Sequence, residues 1–172
     1  RKPADQAFES QEYRSAMASA FELGFHKMTL PEACGGLGFD PQTTGLVWEE
    51  LARYGVGFAA GLMAGSVVPG LISFLAPQNQ AMLAKYVVPF CSDTTGTKIT
   101  AWGSSEPKLG SDGKSYDDLS VHHETKASKN GSGYALNGAK SAFVSNGGVA
   151  SALAVFASVD ARKGLRGSGL FV

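Results

Sequence analysis

The chain has 172 residues, 44% of them hydrophobic and 10% aromatic, enough to build a core and too apolar for a disordered chain. Fifteen basic and fifteen acidic residues cancel, so no global field points to nucleic acid or an anionic membrane. Charged residues make up only 17%, against about 25% in an average domain, and there are 22 Gly, so the pattern predicts surface covered by a cofactor, a partner or further chain.

From Ala4 to Gly24, Phe8, Tyr13, Met17, Ala20 and Phe21 recur at helical spacing, and Gly24 suits a C-terminal cap. The loop that follows carries Gly35, Gly36 and Gly38, which demand unusual backbone angles or close approach to backbone or ligand; it lacks the Gly-Lys-Ser/Thr of a phosphate loop. Asp40-Pro41 reads as a helix start, with Val47, Leu51 and Tyr54 on its apolar stripe and Trp48 in the core. Val56 to Ala76 carries no charge and, by length alone, could span a membrane. Its Gly, Ser and Pro content and the lack of a flanking basic cluster favour a fully buried helix of a soluble bundle, in which Gly57, Gly61 and Gly65 admit a neighbouring helix. Pro77 is expected to start another helix, with Met82, Leu83, Tyr86 and Val87 buried and Pro89 ending it.

Beyond Asp93 the texture becomes β-like. Thr97–Trp102, Leu119–Ala127, Tyr134–Leu136, Ser141–Ser145 and Ala152–Val159 read as strands, and Lys129-Asn130-Gly131 and Asn137-Gly138 as hairpin signals. The predicted architecture is α+β: an N-terminal helical bundle over residues 1–96, then an antiparallel, barrel-like β-domain over 97–172 that is incomplete. Cys34 and Cys91 form no CxxC pattern and read as buried thiols, and the three His show no ligand spacing, so no metal site is expected. Lys126, Lys129 and Lys140 read as solvated strand charges. The chain begins at Arg1 and ends on a strand-like Leu170-Phe171-Val172, so it is expected to belong to a longer polypeptide.

Five segments in order carry a family resemblance. Trp102-Gly103-Ser104-Ser105-Glu106-Pro107-Lys108-Leu109-Gly110-Ser111-Asp112 resembles the aromatic-x-x-Thr-Glu-Pro-x-x-Gly-Ser-Asp segment of the acyl-CoA dehydrogenases. Leu30-Pro31-Glu32 through Gly35-Gly36-Leu37-Gly38, Glu49-Glu50-Leu51-Ala52-Arg53, Lys85-Tyr86 with Pro89, and Leu136-Asn137-Gly138-Ala139-Lys140 leading to Ser145-Asn146-Gly147-Gly148 are similar to further segments of that family.

The resemblance implies a helical domain, a β-domain and a C-terminal four-helix domain, the last absent from this sequence. It implies FAD held noncovalently and α,β-dehydrogenation of an acyl-CoA thioester, with the α-proton taken by a Glu from the C-terminal domain. No catalytic residue is therefore expected here, and these residues alone are expected to be inactive. Cofactor contacts carry over to Trp102, Gly103, Ser104, Ser105, Phe143, Val144 and Ser145, and substrate contacts to Gly110 and Ser111, whose turn should offer backbone N–H groups. Glu106 is expected to anchor the turn that presents Ser104 and Ser105, and Ser111 to contact ligand or cap a turn rather than act as a nucleophile. Both flavin-facing Thr of the family pattern are Ser here, and four residues instead of three separate Lys140 from Ser145. The resemblance further implies an electron-transfer flavoprotein or similar acceptor, a homodimer or homotetramer, no nucleic acid, no membrane span, and a cytoplasmic or, in a eukaryote, mitochondrial matrix location. A flavin oxidase or monooxygenase on the same scaffold, or a non-catalytic interaction protein, are the alternatives.

Overall fold

The computed structural model describes residues 10–172. They form helices followed by strands, in two compact units: residues through Ala101 together with Ser145–Ala152, and Trp102–Val144 together with Leu153–Val172.

In the helical unit, α1 runs Gln11–Glu22, its start fixed by Ser10, whose hydroxyl accepts from Tyr13 N. Residues 4–9 of the expected first helix lie outside the described residues. Beyond the helix, Gly24 takes a left-handed conformation, the role expected of it. Phe21 then stacks on His26 at 4.0 Å, and Phe90 meets both rings edge-on, making an aromatic nucleus; Met28, Leu30, Leu62, Val68 and Val87 are also buried in this unit.

The glycine loop folds back on the chain itself. Leu37 N donates to Lys27 O, Gly38 N to Leu30 O and Phe39 N to Met28 O. At Gly36 any Cβ would run into the Leu30 carbonyl, so this position is held by backbone packing.

α2 is Pro41–Gly65, with the Asp40 carboxylate accepting from Gln42 N and Thr43 N as its cap. The path breaks at Gly55 (φ −170°, ψ 92°) and again at Ser66, before α3, Val67–Leu75. The break corrects two expectations. Tyr54 lies 86% exposed instead of on the buried stripe, and Val56–Ala76 is a half-buried, bent path instead of one buried helix, with Leu62, Val68 and Ile72 inside and Val56, Met63 and Phe74 outside. Trp48 is half-buried. Among the described residues, only Pro41–Leu75 is long and apolar enough to cross a membrane by length and composition. Of the glycine row, a Cβ at Gly57 would meet nothing, whereas one at Gly61 would strike the Tyr13 hydroxyl on α1 and one at Gly65 would sit 2.6 Å from Ile99 Cγ1. So a single glycine of the three admits a helix.

The next helix begins at Gln80, not Pro77: Asn79 caps α4, Gln80–Met82, accepting from Met82 N. A π-turn, Leu83–Val87, leads into α5, Val88–Ser92. Pro89 does not end the helix. The wider turn before it relieves the clash of its ring with the preceding turn's carbonyls. The segment Ser145–Ala152 returns to this unit. Asn146, at φ +62°, donates through Nδ2 to Gly61 O and Thr100 O, and Ser151 N donates to Ile99 O.

The second unit is built on a sheet of β1 (Thr100–Gly103), β2 (Lys126–Asn130), β3 (Gly133–Asn137), β4 (Ala152–Ser158) and β5 (Ser168–Phe171), in the order β1–β4–β2–β3 with β5 also on β4. The division between the units falls within β1. Lys129-Asn130-Gly131 makes the expected hairpin: β2 and β3 pair antiparallel from Lys126↔Asn137 to Asn130↔Gly133, with Gly131 at φ +59° in the two-residue loop. β4–β5 is also antiparallel, but β2 meets β4 in parallel at Lys126↔Ser158, so the sheet is mixed.

Three expected strands are shorter or missing. The Asp93 carboxylate draws in Thr95 N and Lys98 N, so β1 starts only at Thr100. Asp118 does the same to Ser120, delaying β2 to Lys126. Ser141–Ser145 is a turn, and Asn137-Gly138 ends β3 without a hairpin.

Candidate functional site

Trp102 and Gly103 close β1, and the chain continues through Ser104 and Ser105 into a tight turn, where Glu106 and Leu109 exchange backbone hydrogen bonds. The Glu106 side chain is fully buried. Its carboxylate accepts from Glu124 N at 2.5 Å, Thr125 N at 3.0 Å and Lys140 Nζ at 2.7 Å. Burial alone would raise this carboxyl's pKa; the hydrogen bonds from Lys140 and from Thr125 and Glu124 outweigh it and hold the group down at about 2. Glu106 is thus the anchor of its turn, in agreement with the sequence reading.

Lys140 departs from that reading. Its side chain is 11% exposed, and besides Glu106 it donates to Phe156 O at 2.6 Å and Ser104 O at 3.4 Å. The sequence held no local signal for it, because the burial of Glu106, which favours a nearby cation, is itself a product of the fold. His123, a packing residue without ligand spacing in the sequence, is the second side chain beside Glu106. It is buried, stacks on Phe156 at 5.7 Å, and has Nδ1 3.7 Å from Glu106. Burial and the charge of Lys140 lower its pKa against the opposing pull of Glu106, a net shift that favours the neutral ring.

Around this anchor the candidate residues lie as follows. Trp102 is 42% exposed and Phe143 77% exposed, with Val144 half-buried. Ser104 and Ser105 are half-buried, and neither hydroxyl engages another described residue. Ser104, Ser105 and Gly110 line one hollow of about 300 Å³ with Leu109, His123 and Phe156. Ser168 Oγ and His123 Nδ1, also on this hollow, are buried without hydrogen-bond partners, so its wall suits a polar occupant. Trp102, Gly103, Ser111, Phe143 and Val144 do not line it. Ser145 belongs to the helical unit, at the start of the returning segment.

At Gly110-Ser111-Asp112 the structure corrects the expectation of open N–H groups for Gly110 alone. Gly110 N donates to Asp112 Oδ1 at 2.7 Å, because an aspartate two residues on closes back on the backbone. The Ser111 side chain remains exposed at the start of the short turn Ser111–Lys114. Cys34 and Cys91 are both unbridged, and no group of three or more His, Cys, Asp or Glu among the described residues could hold a metal.

The model of the acyl-CoA dehydrogenase N-terminal domain matches residues 2–94. The chain belongs to the acyl-CoA dehydrogenase family. A cyclohex-1-ene-1-carbonyl-CoA dehydrogenase of Syntrophus aciditrophicus is 33% identical over 151 residues, 88% of this chain and 34% of that protein. Butyryl-CoA dehydrogenase from Megasphaera elsdenii superposes with a TM-score of 0.72 at 33% identity, covering 92% of this chain and 39% of the other. An acyl-CoA dehydrogenase from Bacillus anthracis, solved in complex with FAD, superposes at 0.69 with 28% identity, over 91% of this chain and 25% of its own. The chain spans about a third of the length of the curated relatives it matches.

Proposed function

We propose that these residues form the helical unit and the first part of the β-unit of an FAD-dependent acyl-CoA dehydrogenase. The observation that carries the reading is the end of β1: two unengaged serine hydroxyls, Ser104 and Ser105, on a backbone pinned by a fully buried glutamate. Family relatives, one of them solved with FAD, support the same reading.

The residues fit such a cofactor. Trp102 and Phe143 are exposed aromatic side chains on which a flat ring could pack. The Ser104 and Ser105 hydroxyls can donate to a ring edge where negative charge develops on reduction. Gly103, Val144 and Ser145 complete the proposed cofactor contacts, and Gly110 and Ser111 are assigned to the acyl-CoA. When bound, FAD would supply the acceptor for the hydride leaving the substrate's β-carbon.

Proton removal from the α-carbon is assigned outside this sequence. Glu106, the one buried carboxylate at the site, is held ionised and spent on three donors, so it is not positioned to work as a base. An electron-transfer flavoprotein or similar acceptor, a homodimeric or homotetrameric assembly, and a soluble cytoplasmic or matrix location complete the proposal.

The test uses the native polypeptide that contains these residues. It is expected to purify with, or take up, FAD, and acyl-CoA added without oxygen should bleach the flavin's visible absorption. A protein that binds no FAD overturns the proposal. Bleaching followed by rapid reoxidation in air, without an added acceptor, would assign it to the oxidases instead.

A further inference from the structure

Lys140 is placed to do more than neutralise Glu106. An ammonium has three N–H donors. Here they face three acceptors: Glu106 Oε1 at 2.7 Å, Phe156 O at 2.6 Å and Ser104 O at 3.4 Å. The next residue ties down the next carbonyl, since Ser141 N donates to Ser105 O at 2.9 Å. Lys140 and Ser141 therefore grip both carbonyls of the dipeptide whose hydroxyls are unengaged. The route of the lysine stem is kept open by Gly103, where a Cβ would sit 3.2 Å from Lys140 Cγ and 3.7 Å from Ala154 O. His123, 3.7 Å from the same carboxylate oxygen, does not substitute for the cation, because burial and Lys140 itself favour its neutral form.

We infer that Lys140 is a positioning residue: its ammonium, tied to Glu106 and β4, sets where the Ser104 and Ser105 hydroxyls point, and through them the reduction potential of the flavin and the turnover of acyl-CoA. The inference rests on the proposed function for its flavin arm only; the backbone arm stands without it.

Two variants of the native polypeptide separate positioning from folding. Lys140→Met with Glu106→Gln removes both charges, so no ion is left buried alone. Lys140→Arg keeps the charge on a longer, planar head that does not fit three converging acceptors. In both, amide exchange at Ser141 is expected to quicken while amides of β2 and β3 keep wild-type rates. In the FAD-loaded protein the reduction potential should shift, and kcat should fall about 10- to 100-fold with little change in KM, as misplacement of a contact group gives. Should the double variant not fold, Lys140→Arg carries both arms.

Wild-type exchange at Ser141, or wild-type potential and kcat, in a folded variant overturns the inference. If the unaltered protein takes up no FAD, the functional proposal falls, and faster Ser141 exchange alone still upholds the grip of Lys140 on the serine segment.

Discussion

Each unit buries a titratable side chain, and they do so in opposite ways. In the helical unit His26 stacks on Phe21 and meets Phe90 edge-on, and burial, helped by the charge of Lys27 and opposed more weakly by the backbone at Phe90 and Cys91 and by Asp93, drops its pKa to about 4. In the sheet unit Glu106 is equally buried, yet every donor around it favours the ion. The helical unit tolerates a polar ring by keeping it neutral inside an aromatic stack. The sheet unit keeps a full charge by surrounding it with donors. A neutral ring can be exchanged for a hydrocarbon of similar shape, whereas half of an ion pair cannot be removed without exposing the other half to an apolar interior.

Breaking the pair should have the largest effect. Lys140→Met alone leaves Glu106 buried and unpaired and is expected to cost about 3–5 kcal/mol, read as a shift in the urea unfolding midpoint. Adding Glu106→Gln should recover a large part of it. Equal losses in the single and double variants would mean that packing of the lysine stem, not charge, is at stake.

Acid sharpens the contrast. The folded pKa of His26 lies below its ordinary 6.5, so the unfolded chain binds the proton more readily. Its stabilising contribution is complete above pH 6.5 and drains away as pH falls toward 4, amounting to about 3 kcal/mol for a shift of this size. His123 is depressed too and acts in the same direction. Glu106 contributes in a lower window, lost between about 4.5 and 2. Stability measured from pH 7 to 4 should therefore fall, and His26→Leu should flatten that slope while leaving the loss below 4.5 in place. An unchanged slope in His26→Leu would show that the ring is not the group responsible.

Smaller effects belong to the helical unit's packing and caps. Gly61→Leu would drive a side chain into the Tyr13 hydroxyl and is expected to cost about 1–3 kcal/mol by overpacking, against almost nothing for Gly57→Leu, whose Cβ direction is empty. Asn79→Ala, which removes the cap of α4, should cost about 0.5–1 kcal/mol by thermal melting. Solvent can replace an exposed cap, but not the donors of a buried carboxylate.

What was legible in the sequence follows from how local its cause is. Asp40-Pro41, the left-handed Gly24 and the Asn130-Gly131 hairpin are decided within a few residues, and each formed as read. The run Val56–Ala76 misled because lack of charge marks burial without saying where the axis bends; Gly55 and Ser66 decided that. Pro89 misled because a π-turn can absorb what an α-turn cannot. Aspartates 93, 112 and 118 each bent the chain back toward nearby backbone N–H groups, which shortened β1 and β2 and closed the Gly110 N–H. At the candidate site, the Ser104-Ser105-Glu106 turn was visible as a motif. The partner of Glu106, however, lies 34 positions away, and no local pattern distinguishes a half-buried Lys140 from the solvated Lys126 and Lys129.

The return of Ser145–Ala152 to the helical unit has a consequence for the order in which the protein can be made. Asn146 reaches Gly61 O and Thr100 O, across 85 and 46 positions of sequence. On a ribosome that emits the chain N-terminus first, the helices emerge well before the residue that ties α2 to β1, with most of the sheet unit synthesised in between. The helical unit therefore waits, unlatched, for a segment that comes after its own last helix, and a pause or nascent-chain truncation before residue 152 should leave it open to proteolysis.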